Sequence, residues 1–409
     1  MSRQLYATRA RQPSGRAASM PMLNSPAWRL AAIVLVGLNL RPVLASVGPL
    51  LDAIQRATGL SDSAASLLTT LPILLMGAGA LAAPWLARRA GVRAGVWLGV
   101  ALIGLACAVR GAASAPAVLL ASALCAGLGI AAVQALLPAF IKAEFAARAG
   151  GVMGFYSTSI MGGAVFASVA TPFAARAIGW TSALAGWALP AVAAALLWPL
   201  ATGATKRAVH APPAARRAHG ARAWLLAAFF GLGTGAYTLV LAWLPPYYMS
   251  LGWSPQAAGG LLGGVTLAEV ASGLTVSAFI DRLPDRRPAL FAAIASLFVG
   301  LIALIAAPLG FALPASLLLG LGIGALFPLS LIVALDHATS AADAGTLTGF
   351  VQGVGYLVAG LFPFAAGVIR QNVADLSPAW GFMAAVCVVM AAMAARLAPP
   401  RLTVARSGA

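Results

Sequence analysis

ATGATKRAVHAPPAARRAHGAR, residues 201–222, is a polar break with five basic residues and a proline pair inside an apolar chain. On both sides of it the pattern is the same: hydrophobic runs of about 20 residues, enough for a helix to cross the ~30 Å hydrocarbon core of a bilayer, separated by short Arg- or Pro-containing segments. The runs place spans near 28–51, 63–86, 94–112, 116–141, 150–174 and 179–200 before the break. After it they fall near 223–248, 256–280, 288–308, 312–335, 344–369 and 376–397. With 61% hydrophobic and 9% charged residues over 409 positions, the chain has too few polar side chains to coat a soluble globule. Unpaired backbone groups are costly in lipid, and the runs lack the period-two alternation of a barrel strand, so each reads as a helix. The expected fold is an all-α membrane protein with 12 transmembrane helices in two six-helix bundles, 28–200 and 223–397. Around them lie a disordered arm (1–27), the 201–222 linker and a tail (398–409).

A net charge of +17 raises the question of a nucleic-acid ligand, but the charges sort by topology. Arg56, Arg110, Arg176 and Arg370 fall on one side of the expected membrane and Arg41 inside a span. The remaining 21 of 26 Lys and Arg fall on the other side, in the arm, the even-numbered connections and the tail. This is the positive-inside pattern, and it predicts that both termini and the linker are cytoplasmic. The first 27 residues carry four Arg and no apolar core. A cleaved signal with 30–38 as its apolar region is the alternative, but the run resumes after Arg41 and no small-residue cleavage site follows. Cys107, Cys125 and Cys387 sit in apolar helices with no disulfide or metal spacing and read as small core residues.

The two sides of the linker repeat at a shift of about 193 to 195 residues. Val36-Gly37-Leu38-Asn39 aligns with Phe230-Gly231-Leu232-Gly233, and Ala87-Arg88-Arg89 through Arg93 with Ile280-Asp281-Arg282 through Arg286. Gly127-Leu128-Gly129-Ile130 recurs unchanged as Gly320-Leu321-Gly322-Ile323, and Gly154-Phe155 as Gly349-Phe350. Four matches in order argue for duplicated halves related by an axis along the membrane normal. Glycines four residues apart, such as Gly320/Gly324 and Gly345/Gly349/Gly353, read as close helix-packing faces.

Several of these segments carry a resemblance. Leu38-Asn39-Leu40-Arg41-Pro42 and Gly48-Pro49-Leu50-Leu51 in span one, Leu67-Leu68-Thr69-Thr70-Leu71-Pro72 in span two, and Leu136-Leu137-Pro138 with Ile141-Lys142 at the end of span four resemble the cyanate/nitroimidazole transporter family (CynX/NimT) of the major facilitator superfamily. So do Ala242-Trp243-Leu244-Pro245, Phe327-Pro328-Leu329 and Gln352-Gly353-Val354-Gly355-Tyr356 in spans seven, ten and eleven. The resemblance covers nearly the whole chain between the tails. It implies a central substrate pathway lined by the first helix of each half. The superfamily's loop between spans two and three usually places an Asp before its Arg. Here Arg88 stands there, ahead of Arg89, so an inter-bundle charge latch would rest on the second copy, Asp281-Arg282. The family looks to favour a Gln near Gly233 in span seven and near Ile323 in span ten, and this chain lacks both amides.

Arg41 is the strongest single signal. It lies about 13 residues, or ~20 Å, into span one, too deep to snorkel, and an intramembrane Arg faces a cavity or a partner. Substrate contact is one reading. A structural ion pair, or bonds to backbone carbonyls freed because Pro42 cannot donate to Leu38, is the other. The planar, permanently charged fork suits a small anion or a planar acceptor group. Glu269, midway along span eight, can pair with Arg41, stay protonated in an apolar packing, or titrate as a proton-coupling group. Asn39, Gln134, Tyr156, Ser157, Thr158, Tyr237, Gln352 and Tyr356 place donors and acceptors on the spans expected to line the cavity, with interhelical hydrogen bonding as the plainer role. Trp243 reads as a gate at the outer mouth or an interfacial anchor. Arg89, Asp281, Arg282 and Pro42 are the further gating and conformational candidates.

The predicted activity is secondary transport of a small polar or anionic solute, cyanate-like or nitroimidazole-like, across the bacterial inner membrane by alternating access. A broader efflux pump and a facilitative uniporter or channel remain open beside it, as does the choice of import or export. No cofactor and no metal are expected. His210, His219 and His337 fall in connections, no His/Cys/Asp cluster has ligand spacing, and Ser and Thr lack a nearby base, so no enzyme is expected. Without a Walker-type loop, energy comes from an ion or substrate gradient, with protons as the candidate ion. The expected partners are a small-molecule substrate and lipid, the expected state a monomer.

Overall fold

The computed structural model describes residues 25–112, 115–203, 220–338 and 341–398, without the side chains of Ala147, Asp281 and 341–343. The arm up to residue 24, most of the linker with His210 and His219, and most of the tail lie outside these residues. Among the described residues there are no strands, and 12 helices are long and apolar enough to cross a membrane. They are span one, Pro26–Thr58; two, Asp62–Ala90; three, Val92–Ala112; four, Pro116–Phe145; five, Ala149–Ile178; and six, Trp180–Thr202. The second set is seven, Ala221–Ser250; eight, Pro255–Phe279; nine, Arg287–Ala306; ten, Ala312–Asp336; eleven, Ala344–Val373; and twelve, Ser377–Ala395.

Within the first half, span four packs on two and three, span six on three, and span five on one. The second half repeats each pairing six spans later: ten on eight and nine, twelve on nine, eleven on seven. The halves meet along two seams, span two with eleven and span five with eight, which exchange under the same pseudo-two-fold. Small residues set these seams. A Cβ on Gly77 would lie 2.7 Å from the carbonyl oxygen of Gly353, and one on Gly259 would collide with that of Ser168. Spans one and seven are the most enclosed of the 12, as expected of helices that line an interior pathway.

Two corrections concern helix ends. Span one continues to Thr58, which puts Arg56 inside its last helix rather than in a connection. Span one is also discontinuous: helix Pro26–Leu38 stops, one turn forms over Pro42–Ala45, a 3-10 turn follows at Gly48–Leu50, and helix resumes over Leu51–Thr58. Pro42 lacks the N–H that would bond Leu38. The Asn39 amide turns back to Val36 at 3.1 Å and that of Leu40 to Gly37 at 3.1 Å. The free Leu38 carbonyl points at Gly163 on span five, where any Cβ would clash with it.

The halves do not touch equally at both ends. At the end opposite the linker, Gly48 packs on Leu241, Ala242 and Pro245, and Gly367 on Asp62 and Ser66. At the linker end Gly150, Gly151 and Gly154 on span five, and Gly345 and Gly349 on span eleven, have nothing within contact distance of a Cβ. The close glycine contacts between the halves named here thus lie at the far end, and these five glycines at the linker end are unpacked.

Candidate functional site

The break in span one delivers Arg41 to the middle of the protein, 5% exposed. Its guanidinium carbon sits 5.3 Å from the centroid of the Tyr237 ring of span seven, a cation–π distance. Tyr156 from span five, Tyr356 from span eleven and Glu269 from span eight complete its electrostatic surroundings. Five candidates from five spans and both halves thus converge on one place. The hydroxyls of Tyr156 and Tyr237 and Nε of Arg41 are buried with no protein partner, so the cluster holds polar capacity that the fold itself does not use. Phe230 packs edge-on against Tyr356 with ring centroids 5.6 Å apart and supplies an apolar wall.

Glu269 is 6% exposed. Among the described residues it forms no ion pair, so the Arg41–Glu269 bridge that the sequence allowed is not made in this conformation. The two groups are still near enough to influence each other electrostatically. Gly324 on span ten lies directly against the Glu269 backbone, where a Cβ would overlap it. That contact fixes the depth of span eight at the carboxyl-bearing residue.

The other candidates are placed differently. Both Asn39 amide bonds go to backbone: Nδ2 donates to the carbonyl of Leu35 at 2.7 Å and to that of Pro190 at 3.1 Å. The first of these is the acceptor orphaned when the Asn39 N–H turned to Val36, so Asn39 caps the break. Gln134 and Gln352 are half-buried. Ser157 and Thr158 are exposed. Thr158 instead lines an apolar cleft of about 340 Å³ between spans five and eight, with Gly162, Val165 and Leu267. Trp243 is no interfacial anchor: it is 1% exposed, its indole N–H donates to the Pro363 carbonyl at 2.9 Å, and Arg370 stacks over its ring at 5.5 Å.

The charge pairs at the linker end were not foreseen. Arg89 is exposed and Arg282 stacks on Phe279 at 4.8 Å, neither in an ion pair among the described residues; the Asp281 side chain lies outside them. The repeat's next arginines are the paired ones. Arg93 meets Glu144 at 2.8 Å, and its counterpart Arg286 meets Asp336 at 3.1 Å. Arg29 joins the first pair at 3.0 Å. Each ties the start of an outer span to the end of its neighbour inside one half. Arg110, expected at the outer end of span three, is 1% exposed.

A family model described as Major Facilitator Superfamily matches residues 30–363. The chain belongs to this superfamily. The Cyanate transport protein CynX of Escherichia coli (strain K12) is 39% identical to it over 375 residues, 91% of this chain and 97% of that one. The 2-nitroimidazole transporter of the same organism is 33% identical over 353 residues, 84% and 88% of the two chains. The fold is similar to that of a D-xylose-proton symporter, with TM-score 0.74 and 15% identity over 91% of this chain and 98% of that one. This major facilitator protein is a transporter with the two-half architecture of secondary, alternating-access carriers. Its helices and relatives fit a multi-pass protein of the bacterial inner membrane.

Proposed function

We propose that the chain moves a small planar solute with an acceptor group, cyanate-like or nitroimidazole-like, by closing its two halves alternately around Arg41. The observation that carries this reading is a buried guanidinium between both halves, with no carboxylate bonded to it and three tyrosines around it. A permanent charge at that depth is expensive, and a bound anion or nitro group would give its fork the acceptors that the protein withholds. The similarity to carriers named for cyanate and 2-nitroimidazole supports the same chemistry. One chain supplies both halves of the site, so a monomer suffices. The excess of basic residues at the linker end and tail supports reading that end as cytoplasmic, so that the less packed end would face inward.

The test is counterflow in proteoliposomes together with thermal-shift binding in detergent, using potassium cyanate and 2-nitroimidazole. Arg41→Lys keeps the charge but loses the fork. It is expected to fold and insert normally while its affinity falls about tenfold or more, the scale of a lost charge-assisted hydrogen bond. Wild-type binding and flux in both Arg41→Lys and Arg41→Ala would refute the anchor.

A further inference from the structure

Arg110 closes span three, yet its bonds run inward to neutral acceptors. Nη1 donates to the carbonyl of Val43 at 2.8 Å, and Nε donates to the Ser122 hydroxyl of span four at 3.1 Å. Ser122 in turn donates to the Leu119 carbonyl at 2.7 Å. Val43 is two residues beyond Arg41, in the single turn Pro42–Ala45. In a regular helix its carbonyl would accept the N–H of Val47, but that amide donates to Leu44 at 3.2 Å. The break therefore leaves a buried acceptor, and Arg110 supplies the missing donor. Arg41 opens the same turn, and its carbonyl takes the amides of Leu44 and Ala45 at 3.0 and 2.9 Å.

We propose that Arg110 is a positioning residue for the transported substrate. By holding the Val43 carbonyl it sets the rotation of the Pro42–Ala45 turn, and with it the direction in which Arg41 presents its guanidinium to the central site. The inference rests on the reading of Arg41 as the anchor. Its rigid fork bonds two acceptors at once, so the turn is keyed to span four through Ser122.

A positioning role separates affinity from yield. Arg110→Met, Arg110→Lys and Ser122→Ala are assayed beside Arg41→Lys by counterflow of potassium cyanate and 2-nitroimidazole, with rates normalised to folded, monodisperse protein. Arg110→Met is expected to raise KM about tenfold, as for one lost charged hydrogen bond, with the maximal exchange rate within about threefold of wild type. Arg110→Lys retains one donor and should recover part of that loss, and Ser122→Ala should raise KM in the same direction by a smaller factor. A lowered yield with wild-type KM in the folded fraction makes Arg110 merely structural and overturns the proposal. If Arg110→Met does not fold, an unchanged KM in Ser122→Ala and Arg110→Lys overturns it equally. A KM shift in Arg41→Lys alone sinks the positioning role and leaves the anchor standing, whereas no shift in Arg41→Lys sinks the anchor itself.

Discussion

Glu269 and Arg41 stand on opposite halves of the protein, near enough to interact and without a bond between them. Rocking of the halves in alternating access would change this separation between states, and a carboxyl whose surroundings change would have two proton affinities. That difference is what coupling to a proton gradient requires. Glu269→Gln fixes the neutral form, so it is expected to abolish the response of net transport to an imposed pH gradient while exchange in proteoliposomes stays within about threefold of wild type. An unchanged pH-gradient response would remove Glu269 from coupling; loss of binding as well as exchange would make it a structural partner of Arg41. These two residues were legible in sequence because charge inside an apolar run is costly and therefore conspicuous. Arg110 and Glu144 were not, since near the end of a span a buried charge has the same local pattern as a solvated one. Asn39 shows a related limit of pattern reading: a polar residue beside a helix break can serve the break as well as a ligand, and here its amide nitrogen goes to the Leu35 and Pro190 carbonyls.

At the scale of one helix, spans one and seven are repeats that the sequence aligned through Gly37 and Gly231, yet one is broken and the other is continuous from Ala221 to Ser250. In that register Arg41 and Pro42 fall on Gly235 and Ala236. Duplication was readable from shared letters, while the break follows from a residue that the copies do not share. Proline removes one helix bond, and the glycine-lined face of span five at Gly163 gives the freed carbonyl its room. Pro42→Ala restores an N–H that can bond Leu38 and continue the helix, which would turn Arg41 away from Tyr237. The melting temperature is expected to equal or exceed that of wild type, with transport reduced about tenfold or more, since misplacement of a reacting or binding group by about 1 Å costs on that scale. Wild-type transport in a folded Pro42→Ala protein would show that the break does not aim Arg41.

For the molecule as a whole, alternating access needs two arrangements of the halves close in free energy, and the contacts made in only one of them set the balance. In the conformation described here those contacts gather at the end opposite the linker. Arg370 of span eleven reaches Asp52 of span one and Asp62 of span two, both at 3.5 Å, while stacking over Trp243. Beside it the Ser63 hydroxyl donates to the Gln371 side-chain carbonyl at 2.5 Å, and the Gln256 amide donates to the Pro172 carbonyl at 3.1 Å. Partly exposed ion pairs contribute about 0.2–1 kcal/mol each, so losing both pairs of the Arg370 triad should shift the equilibrium by roughly two- to thirtyfold toward opening at that end. Ser66, 3% exposed at the seam and packed on Gly367, reports the shift once Cys107, Cys125 and Cys387 are replaced. In a Ser66→Cys background, Arg370→Gln should speed labelling by a membrane-impermeant maleimide added to intact cells by that factor. Equal rates with and without Arg370→Gln would show that the triad does not hold the halves together; labelling only after the cytoplasmic side is exposed would reverse the orientation drawn from the basic residues of the linker end.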